Sequence, residues 1–180
     1  MTLNRFASTV LCAALLVAPA LCRAQSAEDR AAAHTEFEHG VAAYTARDYQ
    51  TALDAFQEAY RLAPHPSVRL NIANCYDQLD RPVEALFHFE HYLSEATGLT
   101  AAQRHDVEAS IDRLEARVGT IALAVSPDGA AITIDGTDTR RAPVSDPIRV
   151  RAGDHVVDIA LDGYVSEHQT VHVEGGGSAR

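Results

Sequence analysis

The chain has 180 residues and a formal charge of −10, with 25 Asp and Glu against 15 basic residues, all of them Arg. A surface this acidic repels nucleic acid and anionic lipid, so no nucleic-acid partner is expected. Of its three cysteines, Cys12 and Cys22 lie near the N-terminus, and Cys75 alone remains beyond them, where it reads as a small buried thiol.

Residues 1 to 24 carry one early positive charge at Arg5, an apolar run from 6 to 21, and a small-residue end in Cys22-Arg23-Ala24. That is the pattern of a secretory signal peptide, with an apolar part too short for a confident membrane span. Cleavage is expected after Ala24, with Ala18-Pro19-Ala20 as the alternative. Lipidation at Cys22 is opposed by Leu21, which stands where lipoproteins carry a small residue. Loss of Arg5 and Arg23 leaves 13 Arg against 25 acids, a formal charge of −12. The expected location is the periplasm or cell envelope, with no membrane span once the leader is removed.

Helical spacing governs the next stretch. Ala33, Phe37, Val41 and Tyr44 form one face of a helix over 27 to 46, and a second helix runs from Tyr49 to residue 63. Helices over 67 to 79 and 83 to 96 repeat the pair. Gly98 then stops the chain, and Thr100 with Gln103 opens a fifth helix through a capping box. Its apolar face is Val107, Ile111, Leu114 and Val118, a lid for the open side of the second pair.

The first two pairs are copies of each other. Gly40 recurs as Ala73, Ala52-Leu53 as Ala85-Leu86, and Phe56 as Phe89, each after 33 residues. Small residues at fixed offsets let partner helices approach closely, while the aromatic one turn on fills the space between them. With Tyr49, Ala59 and Pro64 in the first unit, and Asn71 and Tyr76 in the second, residues 33 to 96 resemble two tetratricopeptide repeats (TPRs). Glu36 departs from the usual tryptophan, Tyr92 from the last small residue, and the second unit lacks a closing proline.

The resemblance implies a concave groove on the first-helix side. Asn71 and Asn74 would hydrogen-bond the backbone of a bound extended peptide there, since an amide both donates and accepts. His34, Phe37, Val41 and Tyr44 would line the neighbouring helix, with Asp77 and Gln78 beyond. The alternative for the two asparagines is support of helix packing. Arg69 is the only base nearby, so recognition of an acidic chain end is not expected.

At Gly119 the period changes from helical to the two-residue alternation of strands. Ile121, Leu123 and Val125 alternate with Thr120, Ala122 and Ala124; Ile132 and Ile134, residues 148 to 150, 156 to 161 and 170 to 173 are further short strands. Turns fall at Pro127-Asp128-Gly129, Asp135-Gly136 and Asp162-Gly163. Together these indicate a small antiparallel β-sandwich. Pro127-Asp128-Gly129-Ala130, Ile134-Asp135-Gly136, Pro143, Gly153-Asp154-His155 and Gly163-Tyr164 resemble the PEGA domain, a small β-domain of exported bacterial proteins. The resemblance implies interaction or envelope attachment rather than chemistry.

The fold class expected is therefore α+β in two domains. Residues 1–24 are a leader, 25–118 a TPR-like array of about five helices, 119–174 a PEGA-like sandwich, and 175–180 a flexible tail by its Gly-Gly-Gly-Ser composition. No phosphate loop, paired-cysteine site or nucleophile elbow occurs. His88 and His91, flanked by Glu84 and Glu95 on one helical face, are the best metal candidate. The solvated side of an amphipathic helix is the preferred reading of the same positions, and no metal or other cofactor is expected. Arg140-Arg141 reads as a solvated loop. The function expected is that of a non-enzymatic protein–protein scaffold binding a protein or peptide segment. The alternative is a carbohydrate or cell-wall attachment module, which Tyr164, the single aromatic of the β-region, supports poorly.

Overall fold

The computed structural model describes residues 26 to 180; the expected leader, its cleavage after Ala24 and the lipidation of Cys22 lie outside them. Five helices come first: α1 (Ala27–Thr45), α2 (Tyr49–Leu62), α3 (Pro66–Gln78), α4 (Pro82–Glu95) and α5 (Ala101–Glu115). Their starts follow local chemistry. Ser26 with Asp29 and Thr100 with Gln103 form reciprocal capping boxes, and Pro66 and Pro82 each occupy a first turn, where a missing N–H costs nothing. No helix of the described residues is long and apolar enough to cross a membrane.

The 33-residue period is visible bond by bond. After α1, Arg47 takes a positive φ of 63° and the Asp48 N–H reaches the Ala43 carbonyl at 3.0 Å; after α3, Asp80 has φ 58° and the Arg81 N–H reaches the Tyr76 carbonyl at 2.9 Å. These are the same helix-ending turn used twice. Within each unit the small residues do the predicted work. Ala52, Ala73 and Ala85 have no exposed surface, and Phe56 and Phe89 fill the space they leave. At Gly40 the approach is closest, for a Cβ there would lie 2.6 Å from the Phe56 ring. The fifth helix covers the second pair as expected: Val107 and Leu114 are buried in the helical core, with Ile111 packed at its edge.

Seven strands follow: β1 (Val118–Ile121), β2 (Ala131–Ile134), β3 (Asp138–Arg141), β4 (Ile148–Arg151), β5 (Gly153–Ala160), β6 (Glu167–Val173) and β7 (Ser178–Ala179). They form a three-stranded sheet in the order β4-β1-β7 and a four-stranded sheet in the order β3-β2-β5-β6. Ile121, Ile132, Ile134, Ile148, Val157 and Val173 make the core of this part. Asp135 and Gly136 both have positive φ, 52° and 70°, as the tight turn between β2 and β3 requires.

Three expectations need correction. Leu123 and Val125 lie past the end of β1, which runs from 118 to 121 and takes in the last apolar residue assigned to α5. Arg140 and Arg141 stand in strand β3, not in a loop; Arg140 pairs with Asp138 at 3.0 Å and Arg141 donates to the Gly129 carbonyl at 3.1 Å. Residues 175 to 180 are not a loose tail. β7 runs parallel to β1, with the Thr120 N–H on the Gly177 carbonyl at 3.0 Å and the Gly176 N–H on the Val118 carbonyl at 2.8 Å. Glycine is required by space here rather than by flexibility, because a Cβ on Gly175 would collide with the Ala116 carbonyl.

Helices and sheets meet directly. One face of the three-stranded sheet shows Gly119, Ile121, Ile148 and Val150 to the β-core, while Val118, on the other face, is buried in the helical core. On that second face Arg149 makes a two-pronged contact with Glu90 of α4, at 2.7 and 3.0 Å. Arg151 pairs with Asp80, which also takes Arg117, and Arg117 and Arg113 both reach Asp77. A ladder of alternating charge thus joins α3, α5 and β4.

Two substitutions test these close approaches. Gly40→Ala, which by helix propensity alone would stabilise by about 1 kcal/mol, should instead destabilise by roughly 1–3 kcal/mol through overpacking against Phe56. Urea unfolding gives the sign, and a stabilised variant would show that α1 and α2 do not meet there. Gly175→Ala should release β7, seen as rapid proteolytic trimming after residue 174 in a chain that is otherwise still folded.

Candidate functional site

The residues assigned to the groove take three different roles. Phe37 is half-buried, its ring tilted at 57° against Phe56 with centroids 5.5 Å apart, and it belongs to the packing of the first pair. Tyr44 is likewise half-buried, edge-on to Tyr49 at 5.3 Å. Burial raises its pKa first, and the nearby charges of Cys75, Tyr49 and Asp77 add to that. Asp77 is committed to Arg113 at 2.6 Å and Arg117 at 3.3 Å. Val41 and Gln78 are exposed, Val41 by 44%, and Asn71 and Asn74 are half-buried.

Of these, Asn74 lines an open cleft between α3 and α5. With Leu70 of α3 it faces Gln103, Asp106, Val107 and Ser110 of α5, over a floor of Phe89 and Tyr92, around a volume of about 250 Å³. Helical periodicity presents α5 only as a lid, so the expected groove lacks this α5 wall. Yet the 33-residue period runs on into it: Phe37, Leu70 and Gln103 are in register, as are Val41, Asn74 and Val107, and Tyr44, Asp77 and Ser110. Asp106 takes the place of Gly40 and Ala73. With no second helix of its own to crowd that position, α5 can carry a carboxylate there.

The Glu84, His88, His91, Glu95 face has other business. Glu84 accepts from Arg81 at 2.8 Å and Glu95 pairs with Arg69 at 3.0 Å. His91 sits 2.7 Å from the Phe87 carbonyl. His88 is not on a solvated face. It is half-buried, stacked on the Tyr76 ring with centroids 5.4 Å apart and interplanar angle 24°, and its Nδ1 is buried without a partner. Burial pulls its pKa down to about 4, helped by the neighbouring charges of Arg69 and His91. Among the described residues no three potential ligands gather as a metal site would need. Cys75 is fully buried, and burial pushes its pKa up to about 12, so it rests as a thiol.

In the β-domain, the β2–β3 turn and the start of β5 are joined by one pair of side chains. The His155 Nδ1 lies 2.6 Å from the Asp135 carboxylate and its Nε2 2.6 Å from the Arg151 carbonyl, while the Val156 N–H donates to the other Asp135 oxygen at 2.9 Å. A carbonyl can only accept, so Nε2 carries a proton, and a second proton on Nδ1 is drawn by the carboxylate. Burial opposes the charged ring, but these hydrogen bonds and the charges of Asp135 and Asp154 outweigh it, and the His155 pKa is raised. Asp135 shows the converse: burial works against its charge, and the bonds from His155 and Val156 prevail to lower its pKa. On the outer face of the same sheet, His168 pairs with Asp158 and His172 with Asp154, each at 2.6 Å across β5 and β6. At the far end of that hairpin, Tyr164 and Val165 are 64% and 96% exposed.

Residues 118–179 match the PEGA domain family, and the C-terminal part is thereby PEGA-like from the first residue of β1 to the last of β7. Domains of this family are β-domains often associated with periplasmic or cell-surface proteins. No curated protein and no solved structure matches the chain.

His88 and His155 should respond oppositely to pH. His155 has a raised folded pKa, so its contribution is complete below the unfolded value of about 6.5 and is lost as pH rises through the folded one. His88 has a lowered folded pKa, so the unfolded chain takes up its proton first and stability declines as pH falls from about 6.5 towards 4. Melting temperature against pH should show a shallower acid branch in His88→Leu and a flatter neutral-to-alkaline branch in His155→Gln. Unchanged profiles would mean that neither ring senses its surroundings as described.

Proposed function

We propose that the protein is an exported, non-enzymatic scaffold that holds an extended segment of a protein partner against α3 and α5. The observation that carries this is the cleft beside Asn74: an apolar floor, with side-chain amides at its rim and room for one side chain. An extended segment brings a backbone N–H and C=O at every residue, and Asn74 can satisfy both while the floor takes the apolar group between them. The TPR-like repeat supplies a rigid wall for this, since the two helices of each pair are joined by the same turn and both pairs share one core. The PEGA-like domain, bolted to α4 by Arg149 and Glu90, then acts as the attachment end and keeps a set orientation to the groove. Its family association supports export to the periplasm or cell surface.

A second reading places attachment to a carbohydrate or the cell wall in the β-domain itself. What favours it is the exposed Tyr164-Val165 tip, beside a polar cleft of about 440 Å³ lined by Arg141 and Asp162. The groove is favoured over it because its floor is apolar, with Phe89, Tyr92 and Val107, and the Asn74 amide beside it is not engaged by another side chain among the described residues.

The asparagines separate a binding from a structural role. Asn74→Ala should weaken capture of a partner segment by about 1 kcal/mol or somewhat more, because a backbone amide of the partner is left buried and unpaired. The melting temperature should change little. Asn71→Ala should act more weakly, since Asn71 does not line the cleft. A large drop in melting temperature with undiminished capture would make both residues structural and move the search to the β-domain.

A further inference from the structure

The cleft has a charge preference written into α5. Two arginines near it are turned away or neutralised. Arg69 lies over the Tyr60 ring at 4.7 Å and pairs with Glu95 at 3.0 Å, and Arg113 is held by Asp77 at 2.6 Å. Arg104, next along α5, leans towards Glu108 at 3.9 Å. Asp106, which lines the cleft between Gln103 and Ser110, enters none of the ion pairs formed among the described residues. The local balance at the mouth is therefore one uncompensated carboxylate, on a chain whose net charge is already −10.

Resting on the groove reading above, we propose that Asp106 selects the partner: the segment bound there carries an apolar residue with an arginine or lysine beside it. The apolar group fills the space over Phe89, Tyr92 and Val107, and the cation meets Asp106 at the rim. An acidic neighbour would instead face an unpaired like charge. The amide of Gln103 has its oxygen tied to Thr100 in the helix cap, at 3.0 Å, so it can only donate to the segment. Asn74 opposite remains free to do both. The recognised chemistry is thus the reverse of an acidic chain end: an extended, basic–apolar stretch.

The test is selection of the intact two-domain protein against a displayed library of random octapeptides, followed by titration of one selected peptide and its Lys/Arg→Glu analogue. Selection should enrich an apolar residue adjacent to a basic one, with affinity falling about tenfold or more for the acidic analogue. Asp106→Asn should remove that discrimination while leaving apolar enrichment and its dependence on Asn74. Asp106→Glu should restore it. If wild-type selection is charge-blind, or Asp106→Asn still prefers the basic peptide, Asp106 has no part in recognition although the groove still binds. If no peptide is enriched, or enrichment ignores Asn74→Ala, the groove reading falls with it.

Discussion

A strand shows alternate side chains to opposite faces, and β1 uses both. Val118 enters the helical core while Gly119 and Ile121 turn to the β-core, so one four-residue strand belongs to two domains and leaves no linker between them. Much else follows from this sharing. Strand β4 must place Arg149 and Arg151 on the helix side, where Glu90 and Asp80 receive them. Gly119 must lack a side chain because Val173 and the Glu174 carbonyl approach it. Gly175 must lack one because the end of α5 passes there. Isolated surface ion pairs contribute little, but these sit beside a buried apolar contact and fix its direction. The PEGA match begins at Val118 itself, the residue that reaches into the helices.

The helical domain shows how a repeat can stop without exposing its core. Each complete unit offers the next one a surface of small and aromatic residues. The fifth helix accepts that surface from the second unit. Freed from a partner helix, α5 departs from the repeat at Asp106, where the two preceding units keep Gly40 and Ala73. At this end of the array a charged side chain therefore stands where the earlier units keep small ones.

Charge is organised by position rather than by total. All the basic residues are Arg, and those near the junction are drawn into forked or shared contacts with Asp77, Asp80 and Glu90. A guanidinium can bridge two carboxylates at once, which lysine does less well. The histidines divide similarly. Burial lowers the His88 pKa, whereas the hydrogen bonds to Asp135 and the Arg151 carbonyl raise that of His155, so one fold contains shifts of both signs.

Period and turn chemistry are local properties, and they were legible from the chain alone: the first four helices to within a residue or two and the start of the fifth, the 33-residue repeat, the capping box at Thr100, and the Asp-Gly turns. Gly40 against Phe56 was legible too, because a small residue on one helix makes the space that an aromatic on the next must fill. Contacts between residues far apart in the chain were not. Gly175-Gly176-Gly177 has the composition of a flexible linker, and only the proximity of Ala116 and β1 turns it into a packed strand approach. His88 lies on the polar face of its own helix, yet Tyr76 of the preceding helix covers it. Asp77 belongs to the groove by register, but α5 brings two arginines to it. The cleft at Asn74 needed α5 set against α3, a placement that helical periodicity permits but that the shared core alone decides.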